Sequence, residues 1–102
     1  MALERPSERR VKEIIAQVYS RNQRGRPITW EAIGTDQPLY QFDDEPDALG
    51  LDSLDAVEIA TELEEAFDVV FPTEIDPTEL RTVRDVVALL ERLLAEQRET
   101  AP

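Results

Sequence analysis

The sequence of 102 residues predicts an all-α fold, a small bundle of three main helices plus a short third helix between the last two. Three observations carry this expectation. Apolar residues recur at i, i+3 and i+4 in three separate stretches, helix start signals stand before them, and no segment alternates apolar and polar residues at period two for long enough to be a strand. The length suits one domain, and 41% hydrophobic residues suffice for a helical core in spite of a net charge of −12, so intrinsic disorder is disfavoured. Residues 1–102 are expected to form that single domain, without internal repeats or low-complexity tracts.

The first helix is expected at about 8–21, where Val11, Ile14, Ile15 and Val18 follow a Ser7 cap preceded by Pro6. Gly25 and Pro27 end the pattern, and a long connection runs over 22–50. It holds three of the six aromatic residues, Trp30, Tyr40 and Phe42, together with Ile33 and Leu39. Leaving such groups in water forfeits roughly 1.5–3 kcal/mol apiece, so much of the connection should pack onto the helices. Within it, Thr29 is placed to cap a single helical turn that stops at Gly34.

The second helix is expected at 53–67, starting at Asp52 or Ser53 after Gly50, with Ala56, Ile59, Ala60, Leu63 and Phe67 as its core stripe. Its opposite stripe reads Leu54, Val57, Glu58, Thr61, Glu64 and Glu65, two exposed apolar side chains with a carboxylate rim. The run Asp76-Pro77-Thr78-Glu79 signals the short third helix at 77–80, and Thr82 with Asp85 repeats the start signal at once. The last helix is expected at 83–97, burying Val83, Val86, Val87, Leu90, Leu93 and Leu94, with a frayed tail over 98–102.

Charge is unevenly spread. Residues 1–26 hold seven basic and three acidic side chains, while residues 27–102 hold four basic and twenty acidic ones. Between Pro27 and Leu80 there are sixteen acids and no Lys or Arg. Such a surface repels phosphate backbones and anionic membranes, so neither nucleic acid nor membrane is an expected partner, and basic proteins are. Cysteine and histidine are absent, which removes disulfides, thiolate sites and the usual general base and metal ligand. No apolar run approaches the roughly 20 residues of a membrane span, and Met1 to Arg10 carries charges where a signal peptide is apolar, so a soluble cytoplasmic protein is expected. Asp43, Glu45 and Asp47 begin like a calcium loop, but Ala48 stands where glycine is needed and Leu54 where the closing acid belongs. No metal site and no catalytic residue are expected.

Ser53 is the candidate for chemistry. It sits where a glycine ends the loop and a helix begins, so its hydroxyl faces free backbone N–H groups and the positive end of the helix dipole, where an attached phosphate is favoured. The plainer reading is that Ser53 or Asp52 is only an N-cap. A hydrolase nucleophile would need an adjacent base, which this chain lacks, whereas a serine modified by another enzyme needs only exposure and a docking surface.

The segment Leu49 to Phe67, LGLDSLDAVEIATELEEAF, resembles the modification site and second helix of acyl carrier proteins. The resemblance lies in a long register: Gly50, Asp52-Ser53-Leu54, Asp55, Glu58, Leu63-Glu64-Glu65, Phe67, Pro72, then Thr82-Val83-Arg84-Asp85-Val86. It covers roughly residues 40–95 closely and the first helix in outline. It implies an acyl-carrier-like helical bundle in which Ser53 receives a 4′-phosphopantetheine arm from coenzyme A through a separate phosphopantetheinyl transferase. Asp52 would help to present Ser53 to that transferase and its magnesium. The arm's thiol would hold acyl groups as thioesters for delivery, and the chain itself would be no enzyme.

The implied partners are an acyltransferase or acyl ligase, a ketosynthase and other synthase enzymes with basic docking patches. Leu54 and Val57 would enter shallow apolar pockets, while Asp55, Glu58, Glu62, Glu64 and Glu65, with Thr61 on the same face, would meet basic side chains that steer encounter. Asp52 resembles acyl rather than peptidyl carriers. The resemblance implies a freestanding carrier of a type II fatty acid or polyketide synthase, monomeric when free; the long connection and Thr61, which depart from carriers of primary fatty acid synthesis, point within it to secondary metabolism and type II polyketide enzymes. The competing expectation is an acidic helical adaptor, or a carrier-like chain never modified, that binds a basic partner without cargo.

Overall fold

The computed structural model describes residues 6–22, 27–41 and 46–99. Helix α1 spans Glu8–Asn22. Its entry is set by Ser7, whose hydroxyl accepts the Arg10 N–H at 3.1 Å and whose carbonyl accepts that of Val11 at 3.0 Å. The first bond satisfies an amide that a helix start otherwise orphans, and the second is the first backbone bond of the helix itself. Helix α2 spans Ser53–Phe67 and ends at Asp68, which adopts the left-handed conformation and donates its N–H to the Glu64 carbonyl. Helix α3 spans Val83–Glu99, two residues beyond the expected end, because nothing in Gln97-Arg98-Glu99 breaks a helix. Thr82 and Asp85 cap it reciprocally: the Asp85 N–H reaches Thr82 Oγ1 at 3.2 Å and the Thr82 N–H reaches Asp85 Oδ2 at 3.3 Å.

The segment expected as a short third helix is one 3-10 turn, Pro77–Glu79, closed by the Glu79 N–H on the Asp76 carbonyl at 2.9 Å. It is too short for an α-helix because the Thr82 start signal follows at once. Packing of α1 on both α2 and α3 builds one core. Ile15, Ile59, Leu63, Phe67, Val86 and Leu90 all lie in it.

The connection before α2 is held down at several points. Ile33, Leu39 and Tyr40 are buried, and the Leu39 N–H donates to the Arg81 carbonyl at 2.8 Å. Farther along, Leu51 N–H donates to Leu39 O and Gln41 N–H to Leu51 O, both at 2.9 Å, forming an isolated parallel bridge between Tyr40 and Leu51. Arg84 of α3 grips Asp36 with two bonds of 2.6 and 2.9 Å. Trp30 is half-buried, with the Arg9 guanidinium 4.9 Å above its ring. Phe42, Asp43 and Glu45 lie outside the described residues.

The turn expected to run from a Thr29 cap to Gly34 is a shorter 3-10 turn, Trp30–Ala32, and the Thr29 side chain makes no capping bond. Ile33 explains the difference. Its side chain is only 2% exposed and its backbone is extended, so reaching the core takes the chain out of the helical turn. The result is an all-α three-helix bundle with a long loop between α1 and α2, and no described helix is long and apolar enough to cross a membrane.

Candidate functional site

The site is built at the start of α2, and Gly50 turns the chain into it. This glycine has φ of +94°, yet an added Cβ would meet no heavy atom within 4 Å, so backbone conformation rather than space calls for glycine. Asp52 is the N-cap: its side chain accepts the Asp55 N–H at 2.9 Å while Asp55 Oδ2 accepts the Asp52 N–H at 3.0 Å. Ser53 is therefore the first helical residue and not the cap. Its side chain is exposed and has no hydrogen-bond partner among the described residues. The Ser53 and Leu54 amides, in the helix's first turn, have no such acceptor either. The chain holds no histidine or cysteine, and this exposed hydroxyl is open to modification by another protein. Among the described residues no group of three or more His, Cys, Asp or Glu side chains could hold a metal.

The residues expected to dock a partner divide into three groups. Leu54 and Val57 stand out from the helix, 65% and 56% exposed. Thr61 and Glu65 are exposed with them, and the Thr61 hydroxyl bonds back to the Val57 carbonyl at 3.0 Å. Glu58, Glu62 and Glu64 are only half-exposed and already bound within the chain. Glu58 Oε2 accepts from Asn22 Nδ2 at 2.7 Å and from Arg21 at 3.3 Å, and Glu62 lies 3.8 Å from Arg21. Glu64 accepts the Phe71 N–H at 2.8 Å, which ties down the segment after α2. The Asn22 amide, helped by Arg21, holds Glu58 below the usual carboxylate range against the opposing effect of burial.

Asp55 corrects the sequence expectation. Expected among the exposed docking acids, it is 2% exposed and accepts from Asn22 Nδ2 at 2.6 Å as well as from the Asp52 N–H. As the third residue of α2 it closes the capping box, and α1 covers it. Two features escaped the sequence reading. Arg21 and Asn22 reach the site from the end of α1, and no local spacing signals such a contact. Val70, 70% exposed, is a third outward apolar residue; its alternation with buried Val69 was the available signal. Its backbone is clasped by the Gln97 side chain at 3.1 and 2.8 Å.

The three-helix bundle thus presents the unengaged Ser53 hydroxyl beside a mixed apolar and acidic face. The family described as "Phosphopantetheine attachment site" matches residues 9–90, and the chain belongs to it. Over 46 residues it is 52% identical to an acyl carrier protein of Syntrophobacter fumaroxidans, covering 45% of this chain and 56% of that protein. An acyl carrier protein of Bdellovibrio bacteriovorus is 50% identical over 46 residues, 45% of this chain and 58% of the relative. A meromycolate extension acyl carrier protein of Mycolicibacterium aurum is 47% identical over 55 residues, 54% of this chain and 56% of the relative. The matched stretch thus spans little more than half the length of these curated relatives. As a member of that family, the chain has a covalent 4′-phosphopantetheine as its cofactor.

Proposed function

We propose that the chain carries acyl or polyketide intermediates as thioesters on a 4′-phosphopantetheine arm attached to Ser53, and presents them to partner synthase enzymes. One observation carries this reading: Ser53 opens α2 with an exposed, unengaged hydroxyl, flanked by the exposed side chains of Leu54 and Val57. The residues fit the group. A phosphate on Ser53 Oγ would lie at the positive end of α2, near the Ser53 and Leu54 amides, and Gly50 leaves open space beside the turn. The arm supplies a terminal thiol that the chain itself lacks.

The chain's own part is presentation. The capping box of Asp52 and Asp55 fixes the first turn, so Ser53 is offered to a phosphopantetheinyl transferase in one orientation, with the exposed Asp52 carboxylate beside it. The acyltransferase or acyl ligase that loads the arm, and the ketosynthase that draws on it, would dock on Leu54, Val57, Thr61, Glu58, Glu62 and Glu65. Weak, charge-steered contacts suit a carrier that must leave each enzyme after one reaction. The mycobacterial relatives, carriers of meromycolate extension by name, are consistent with an acyl cargo.

Intact mass after incubation with coenzyme A and a broad-specificity phosphopantetheinyl transferase tests the assignment. The parent chain should gain one arm and Ser53→Ala none. Because Ser53 caps nothing, the alanine variant should melt within a few degrees of the parent. An alanine variant that still gained the arm would refute Ser53, and a parent that gained none would leave an acidic adaptor without cargo as the better reading.

A further inference from the structure

We propose that Arg21 competes with the cationic side chains of partner enzymes for Glu58 and Glu62, set on the docking face by α1 and displaced when a partner binds. The inference rests on the docking role given above to α2. The Arg21 guanidinium lies 3.3 Å from Glu58 Oε2 and 3.8 Å from Glu62 Oε1, so one cation bridges two acids a turn apart on that face. Its side chain is 54% exposed, and those of the two acids 32% and 39%. Pairs this wet are weak and readily exchanged, because water and salt screen them. A partner's Arg or Lys therefore replaces Arg21 rather than finding two bare carboxylates.

Among the described residues, the acids at the far end of α2 lack such a cation. Glu65, in the last turn of α2, and Asp68, its C-cap, form no ion pair among the described residues. The face is thus graded: its apolar anchors Leu54 and Val57 and its distal acids are free, while Glu58 and Glu62 are held in reserve by Arg21. Because Asn22 holds Glu58 independently, at 2.7 Å, loss of Arg21 leaves the carboxylate in place for a partner. An internal cation of this kind lowers encounter rate and the net charge felt near Ser53, favouring partners with at least two cations matched to Glu58 and Glu62.

The test compares Arg21→Gln with Arg92→Gln, which removes the same charge from an exposed pair with Glu96 on α3. Each chain is modified by the same transferase with coenzyme A, and kcat/KM is measured across a salt series. Arg21→Gln should raise kcat/KM at low salt by about three- to tenfold and steepen its decline with salt, since two more acids join the encounter. Arg92→Gln should change it less than about twofold. Equal effects would mean that only net charge counts, and a lower rate together with a lower melting point would mean that Arg21 merely ties α1 to α2; either overturns the inference while a modified parent leaves the carrier reading intact. A parent that takes no arm overturns both.

Discussion

Truncating Asp55 separates a structural acid from a docking acid. Its carboxylate accepts the Asp52 N–H at 3.0 Å and the Asn22 amide at 2.6 Å, and it is 2% exposed. Asp55→Ala removes both bonds. Hydrogen bonds to a charged group contribute about 1.5–3 kcal/mol each, and an acid in the first turn of a helix adds about 0.3–1 kcal/mol. Against this, the other half of the capping box survives, Asn22 keeps Glu58, and relief from the neighbouring carboxylates recovers part of the loss. A net cost of about 2–3 kcal/mol follows. With a slope of about 1–1.5 kcal/mol per molar urea for a chain of this size, the unfolding midpoint should fall by roughly 2 M. Asp55→Asn keeps an acceptor in the same place and should lose about half as much. Urea titration followed by circular dichroism measures this. In the same variants, the salt dependence of modification by the transferase should match the parent's, because a buried carboxylate takes no part in steering. An unchanged midpoint together with a shallower salt dependence would refute the reasoning and return Asp55 to the docking face.

Large-to-small changes in the core should report how far the long connection contributes to it. Phe67→Ala should cost about 3–5 kcal/mol and Leu39→Ala about 2–5 kcal/mol, while half-buried Trp30→Ala should cost distinctly less than either; equal losses at Leu39 and Trp30 in thermal melts would sink this ranking. Acid should also destabilise the bundle in a defined way. The bond from Arg84 holds Asp36 below the usual carboxylate range, as the Asn22 amide does Glu58. Their folded values lie below the unfolded ones, so their contributions are fully present above the ordinary carboxylate range and are lost as pH falls through the lowered values. Urea midpoints measured from about pH 6 to about pH 3 should therefore fall less for the Asp36→Asn, Glu58→Gln double variant than for the parent, and an equal fall would count against both pairings.

Much of the molecule is legible in the sequence because it depends on short range. The stripes Val11-Ile14-Ile15-Val18 and Ile59-Leu63-Phe67 have helical period, and a helix with one apolar face has little choice but to bury it. Ser7 and the Thr82-Asp85 pair mark helix starts through bonds that span three residues, so neighbours in sequence are enough to reveal them. The position of Ser53 after Gly50 and Asp52 belongs to the same class, as does the register by which the chain resembles acyl carrier proteins. Tertiary structure decided the rest. A helical wheel places Asp55 near the outward stripe, but α1 ends over it with Asn22, and that packing turned an apparent surface acid into a buried cap. Periodicity likewise marks Glu58, Glu62 and Glu64 as available carboxylates, whereas Arg21 lies thirty-seven residues from Glu58 in the chain and 3.3 Å from it in space, and Phe71 returns to Glu64 only because the segment after α2 folds back. The connection shows the same division. Its apolar content signalled packing, but which groups reach the core depends on where Arg81, Leu51 and Arg84 stand to receive it. Local pattern records what each residue can do within a turn of helix; which charges remain free for a partner is set by contacts between elements far apart in sequence, and these exist only once the core has closed.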